Sequence, residues 1–551
     1  MYRAFLAIII SFLILVGYQY FFIQPTANQP VAEQEVLQEK ATSAQQNAGN
    51  LAADTALSQP SSISQVQSVK VDQSARDITV ETPLYTAVIN EQGGGFKSFI
   101  LKGFKEKNDA DSAQVQLVQT ILPTELPMLF SLGSDIAPDL PVFRSEKEKM
   151  TLAEGSGEKG LVMTSSLPRD LELVRTLVFD PDSYLIYVTY TLKNNSPNAL
   201  TISPSISLTN QPFVEATAAS RFMFSGPVAF INNELQEVKG KKLDKGPQSF
   251  QGNVSWAAYE DNYFICAVIP VNEDNRSVSM SAAIETVRTA IGDIQTTIDS
   301  GTQKEFKYVM YFGPKKLSIL KQAGYNLSHA VNFGFFDVLA KPMLWLLNFF
   351  HTYLKNYGVA IILVTILIKG TFWPITQKGM KSMKNMQKLQ PKVAKLKEKF
   401  KDDSQKMNQE MMAMYKTYKV NPLGGCLPMF LQIPFFFALY KVLLMSIELR
   451  HAPFMLWISD LSAPDRLWVG FDIPYLHGIP VLTLLMGASM YLQQKMTPTT
   501  ADPTQAKIMQ MLPIIFTFMF LNFASGLVLY WFVNNLLSIL QQQLINRQTR
   551  S

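Results

Sequence analysis

The apolar residues of this 551-residue chain are gathered into long runs near its two ends, and that placement limits the fold more than any motif does. The first run covers residues 4–23, behind Arg3. At about 20 residues it is long enough to cross a bilayer. A secretory signal has a shorter apolar region and a small-residue cleavage site, so the run reads as an uncleaved anchor with its N-terminus in the cytoplasm. Further runs fall in the last third of the chain, at 357–375, 427–447, 474–492, 508–521 and 527–545. The expected fold is therefore mixed: a polytopic α-helical membrane protein of six spans that also carries a large soluble region.

Charge orients the spans. The loop after residue 375 holds a dense set of lysines, from Lys378 through Lys399 to Lys419, whereas the loop at 448–472 holds Asp460 and Asp465 and few cations. Positive-inside bias places the lysine loop in the cytoplasm and the acidic loop outside. Lys495, Lys507, Arg547 and Arg550 then also fall inside, and both termini are cytoplasmic. Residues 24–70 are rich in Gln, Ala and Ser, as expected of a flexible tether on the outer side. Residues 71–320 show short alternating runs, such as 84–89 and 185–192, divided by turn signals at Gly93–Gly95 and Asp180–Ser183. That rhythm predicts a large extracytoplasmic all-β domain. Residues 321–356 link it to the core of 357–551. Within the linker, 335–354 mixes aromatics with Asp337, Lys341, Asn348 and His351. It reads as an amphipathic helix in the outer interface or as a continuation of the next span.

Lys369 interrupts the apolar run 358–370. A lysine at the centre of a span is unfavourable by roughly 2.5–3.5 kcal/mol. It must reach water, a partner or a function. One reading bends its stem toward the cytoplasmic headgroups, helped by a helix break at Pro374; the other places it in a water-filled cavity. Thr365 lies one turn away. Gln432, Asn534, Asn535 and Ser538 sit in other spans. Each can serve as an interhelical hydrogen bond; together with the lysine they suggest a hydrophilic pocket. Lys441, near an outer span end, is expected to extend outward.

The cytoplasmic loop at 376–420 carries one apolar stripe of Met380, Met383, Met386, Leu389, Val393, Leu396 and Phe400, and a second of Met407, Met411, Met414 and Tyr418. Spacings of three and four predict an antiparallel helical hairpin, turned at Asp402–Ser404. The methionines either pack that seam or offer a soft surface to apolar segments. The lysines outside the seam face anionic lipid, ribosomal RNA or plain solvent. The two cysteines, Cys266 and Cys426, fall on opposite sides of the membrane and are not expected to pair. With four scattered histidines and no Walker-type loop, no metal site, cofactor or nucleotide hydrolysis is expected.

Residues 421–440, from Asn421-Pro-Leu-Gly-Gly-Cys426 to Phe435-Phe-Phe-Ala-Leu-Tyr440, resemble the signature of the YidC family of membrane-protein insertases. So do Gln494-Lys-Met-Thr-Pro-Thr-Thr500 and Ser525-Gly-Leu-Val-Leu-Tyr530. The resemblance runs from about residue 335 to the end, and the anchor, tether and β domain fit the Gram-negative branch. It implies a five-span core with a groove open to the cytoplasm and to lipid, and a periplasmic domain of the β-supersandwich type, similar to sugar mutarotases. The family's groove cation, usually arginine, corresponds to Lys369, which keeps the charge and loses the planar fork. Thr365, Gln432, Tyr530, Trp531 and Asn534 match groove positions, with Trp531 replacing the more usual tyrosine. The implied partners are nascent membrane proteins, membrane lipids, the Sec translocon and the ribosome, the last met through cytoplasmic loops because the tail after residue 545 is short.

These readings predict an inner-membrane insertase and chaperone that is not an enzyme. It would pass hydrophilic tails through the groove and release apolar spans into lipid, alone or beside the Sec translocon. The alternatives are a secondary transporter or channel with Lys369 in its solute site, and a sugar-active enzyme built on the β domain. The first lacks an internal repeat; the second lacks any histidine between residues 71 and 321.

Overall fold

A computed structural model describes residues 72–548, apart from 121, 134–139, 214–223, 273, 283–284, 401–402, 419–426 and 497–502. The expected anchor and tether, Cys426 and part of the family-like signature lie outside these residues.

The first half is built of β-strands in two main sheets. Five strands run in the order Gln114–Gln116, Phe96–Lys105, Tyr85–Asn90, Asp77–Glu81, Lys149–Thr151, antiparallel except for the last pair. A twelve-stranded sheet includes Gln248–Glu260, Phe264–Pro270, Gln303–Pro314, Leu185–Asn194, Leu171–Phe179 and Lys159–Leu167 as successive neighbours. Period-two burial in Tyr85–Asn90 and Leu171–Phe179 turns alternate side chains into the core. Phe264–Pro270, which carries Cys266, is buried throughout, as a strand covered on both faces must be. The sheets meet sandwich-fashion through aromatic contacts: Phe99 lies edge-on to Phe312 at 5.3 Å and Phe96 lies 5.8 Å from it. The glycine turn is required by its backbone, since Gly93 and Gly94 both have positive φ.

A short helix, α1 (Leu317–Ala323), leads out of this domain. Helix α2 (Asp337–Leu354) buries Ala340, Met343, Leu344 and Leu347 and exposes Val338, Trp345 and Tyr353. It ends at Lys355, which adopts a left-handed conformation. The chain therefore turns instead of continuing into the next helix. Asn356 fixes that turn twice: its side chain accepts from Val359 N at 3.0 Å, and its amide donates to Phe454 O at 2.7 Å.

Helix α3 (Tyr357–Lys388) is next. It runs straight through Pro374, contrary to the expected break. Just past it, Thr376 Oγ1 donates back to Phe372 O and Trp373 O of the same helix at 3.1 and 3.0 Å. Among the described residues, α3 is the one helix long and apolar enough by itself to cross a membrane; the apolar stretches Gln432–Met445 and Met509–Phe520 are shorter.

Three helices follow: α4 (Gln390–Lys399), α5 (Ser404–Thr417) and α6 (Leu427–Met445). The last three are α7 (Val481–Met496), α8 (Pro503–Phe520) and α9 (Ser525–Gln548). Helix α9 is central and packs on α3 and α7, while α8 packs on α7 and α2 on α3 and α6. The run expected at 474–492 becomes helical only at Val481; the residues before it form a loop.

The expected hairpin is divided differently. Met380, Met383 and Met386 lie on the far end of α3, and the first arm proper is only α4. The break falls at Leu389, just before Pro391 at the start of α4. Met386 and Leu389 are buried with Tyr415 against them. Met407, Met411 and Met414 are half-buried on α5, whereas Met412, outside the predicted stripe, is exposed.

Candidate functional site

Helix α9 carries Tyr530, Asn534, Ser538 and Gln541 at spacings of four, four and three, which aligns them on one face. Eleven residues of helix make this ladder about 16 Å long. The four rungs meet three side chains of neighbouring helices, Gln432, Lys369 and Thr376. Gln432 of α6 donates from Nε2 to Asn534 Oδ1 at 2.6 Å and to the Tyr530 hydroxyl at 3.4 Å. Lys369 of α3 donates to Ser538 Oγ at 2.7 Å, and that hydroxyl donates on to Asn534 O at 2.8 Å. Gln541 donates to Thr376 Oγ1 at 2.8 Å. On the adjoining face Asn535 donates to Ser489 Oγ of α7 at 2.9 Å.

Lys369 is thus turned into the helix bundle; it is 8% exposed, and its ammonium sits on a neutral hydroxyl. Among the described residues no carboxylate is paired with it. A cation so placed lacks the counter-charge that a buried ion normally has. That vacancy is the chemical character of the site.

Two expected members stand apart. Thr365 is buried but donates to Ile361 O of its own helix at 2.7 Å. Trp531, one residue round the helix from Tyr530, faces a cluster of aromatic rings, with Phe436 at 4.9 Å and Phe520 at 5.2 Å. Three contributors were missed in the sequence: Thr376, Ser489 and Gln541. Gln541 had a usable signal, standing three residues after Ser538 in a Gln541–Gln543 run, and Thr376 lies two turns from Lys369. Ser489 had none, since a lone serine in an apolar helix is unremarked. Lys441 is half-buried.

At the end of the bundle beside the β domain, a loop packs over the helix starts. The loop after α6 lays carbonyls over the start of α9: Ser525 N donates to Ala463 O at 2.7 Å and Gly526 N to Leu461 O at 2.9 Å, satisfying the first amides of that helix. Asp465, buried, accepts from Trp457 Nε1 at 2.6 Å and from Thr483 N at 3.1 Å, the first turn of α7. Asp460 also belongs to this cap, accepting from Ser462 N at 2.8 Å and, through its backbone oxygen, from Ser525 Oγ at 2.8 Å. Arg450 joins it to the β domain: it donates to Glu106 O at 3.0 Å and lies 5.5 and 5.4 Å from the rings of Tyr263 and Phe264.

A helical core with a polar seam and a buried cation, capped on one side and joined there to a β domain, is the build of a membrane-embedded protein that carries a soluble domain. Comparison with known proteins gives the family. Residues 349–551 match the family model described as 60Kd inner membrane protein, and residues 77–346 match that of the YidC periplasmic domain. Relatives called membrane protein insertase YidC are 40% identical in Syntrophobacter fumaroxidans and 41% in Geotalea daltonii, each over 99% of both chains. A crystal structure described as an active YidC insertase with its first transmembrane domain resolved is 17% identical, covers 86% of this chain and 93% of its own, and has a TM-score of 0.35. A galactose mutarotase-like protein from Lactobacillus casei is 14% identical over 43% of this chain and 99% of its own, with a TM-score of 0.31.

The chain belongs to the YidC family of membrane protein insertases. It is an inner-membrane protein with a periplasmic domain, and its work is insertion, not catalysis. The transporter and sugar-enzyme alternatives are not favoured.

Proposed function

We propose that the α9 ladder and Lys369 form the wall of a hydrophilic groove, open to the cytoplasm, through which the polar tails of nascent membrane proteins pass. The chain would cross the membrane six times with both termini inside: the N-terminal anchor, then α3, α6, α7, α8 and α9. Residues 24–356 would lie mostly in the periplasm, with a β domain of the supersandwich type. The observation that carries this reading is the buried Lys369 ammonium on Ser538, with which no carboxylate among the described residues is paired. An acidic residue in a passing tail supplies the missing counter-charge. The ladder offers hydrogen bonds to the rest of that tail, so its path through dry hydrocarbon shortens and the desolvation barrier falls. The substrate's apolar span then moves sideways into lipid, favoured by about 0.3–0.6 kcal/mol for each strongly apolar residue. The cap at the periplasmic end keeps the groove from becoming a pore. Thr365, Trp531 and Asn535 brace the wall. The methionines of the hairpin, from Met380 to Met414, pack its arms, and its lysines meet lipid headgroups or the ribosome. The chain acts alone or beside the Sec translocon.

The test is insertion of a small substrate with a short acidic tail into proteoliposomes of purified protein, without nucleotide or Sec components. Wild type and Lys369→Arg should insert it, and Lys369→Ala should not. Equal insertion by all three would remove Lys369 from the mechanism.

A further inference from the structure

Between α6 and α7 the periplasmic loop ends in a closed lobe. Leu467 and Ile479 exchange backbone hydrogen bonds of 2.8 and 2.9 Å and pinch off residues 468–478. Three aromatic side chains stand out from this lobe: Trp468, Phe471 and Tyr475, which are 60%, 64% and 96% exposed. The backbone holds Tyr475 outward. Its φ is +68°, and the next two amides, Leu476 N and His477 N, both donate to Ile473 O at 3.1 and 2.8 Å. A left-handed tyrosine is a cost that surrounding structure must support. Here the support serves a ring that touches almost nothing.

Helix α7 follows at once. From Val481 to Lys495 it rises about 21 Å, against a hydrocarbon thickness of about 30 Å. One stripe of α7 faces away from the bundle: Leu484, Leu485, Ala488, Tyr491 and Leu492 are all exposed, and the stripe ends at Lys495. Lys495 marks the cytoplasmic boundary. Measured from there, the hydrocarbon extends roughly 9 Å beyond the start of α7, which is the level of the lobe. Trp and Tyr concentrate at that level in membrane proteins because their rings favour apolar surroundings while their polar tips favour headgroups.

We propose that residues 467–479 seat in the outer leaflet at the boundary of headgroups and acyl chains, with Trp468, Phe471 and Tyr475 as anchors that complete the passage of α7 across the membrane. The occupant is lipid, because the lobe continues the outward stripe of α7. The exposed pair Asp472 and His477, 2.9 Å apart, is the lobe's polar side. Helix α2, whose exposed Trp345 and Tyr353 form a second such surface, packs on α3 and α6, whereas α7 packs on α9 and α8. The two surfaces flank the core and would fix its depth and tilt.

The proposal rests on α7 spanning the membrane, and the experiment separates the two ideas. In full-length protein carrying Cys426→Ser, with Cys266 buried, Tyr475→Cys, Trp468→Cys and Leu485→Cys are made singly and labelled with an environment-sensitive fluorophore. Each is reconstituted into phosphatidylethanolamine–phosphatidylglycerol vesicles and quenched with aqueous iodide or with spin-labelled lipid. The expected result is blue-shifted emission and lipid quenching at all three positions, shallow for 475 and 468 and deep for 485. Lipid quenching at 485 with iodide quenching at 475 and 468 overturns the anchor and leaves the span intact. Iodide quenching at 485 overturns both. Labels at 475 and 468 that neither quencher reaches would mean that protein covers the lobe, and would also overturn the proposal.

Discussion

The buried ion pair of Glu260 and Lys315 makes a quantitative prediction about the periplasmic domain. The two side chains are 2.9 Å apart and 3% and 5% exposed. Only one carboxylate oxygen is engaged; Oε2 of Glu260 has no partner among the described residues. Burial therefore outweighs the lysine and raises the Glu260 carboxyl from its ordinary 4.5 to about 7. At roughly 1.4 kcal/mol for each pH unit, keeping it charged costs the fold about 3 kcal/mol at pH 8. The folded protein holds a proton that the unfolded chain has released between pH 4.5 and 7, so stability rises as pH falls through that window. About 2 kcal/mol of the cost should be recovered by pH 5.5. Asp261, half-buried and also raised by desolvation, acts in the same direction. The assay is denaturant unfolding of the full chain in detergent, followed by near-UV circular dichroism at pH 8 and pH 5.5. Replacing both partners, Glu260→Leu with Lys315→Met, should flatten the Glu260 share and leave the domain at least as stable at pH 8, as apolar replacement of buried pairs commonly does. A wild type whose stability is flat or falls from pH 8 to 5.5 would refute the reasoning, as would an unchanged slope in the double variant.

Two further outcomes follow from the contacts. Arg450→Ala should release the β domain from the membrane cap, seen as loss of hydrogen-exchange protection near Glu106 and Phe264; Arg450→Lys should recover little of it, since the stacking plane of the guanidinium is lost. Gly358→Ala should destabilise the corner between α2 and α3, because the added Cβ would lie 1.9 Å from the Phe454 ring. Phe454→Ala in the same chain should restore part of the lost thermal stability, and no restoration would mean that the two do not touch.

Much of this architecture is written in hydropathy and turn signals. Alternation marked strands 85–90 and 185–194, and the apolar runs marked where α3, α6, α7, α8 and α9 lie. The errors share a cause: apolar counts do not see backbone geometry. Leu476 and Ile479 extended the apolar run back before Val481, yet they belong to the lobe. Pro374 resembled a break, yet proline removes one backbone bond, to Gly370 O, and α3 continues on either side of it. Pro391, not the spacing of methionines, decides where α3 ends. The candidate site was legible where polarity contrasts with an apolar setting, as at Lys369, Gln432 and Asn534. It was illegible where a small hydroxyl such as Ser489 does the pairing. Long-range contacts left no trace: nothing in the sequence joins Arg450 to Glu106. Nor does it show that Arg175 would be fully buried, donating to Gly94 O with the rings of Phe96 and Tyr190 about it.

The central claim is that substrate tails travel along the α9 ladder past Lys369. The most direct measurement places a photoactivatable crosslinking residue at Gln432 or Asn534, or at the outward-facing Leu485 of α7, and challenges each with a stalled substrate bearing an acidic tail. The account predicts crosslinks from 432 and 534 to the tail and none from 485. Crosslinks to the tail from 485 alone, or equally from all three positions, would contradict it.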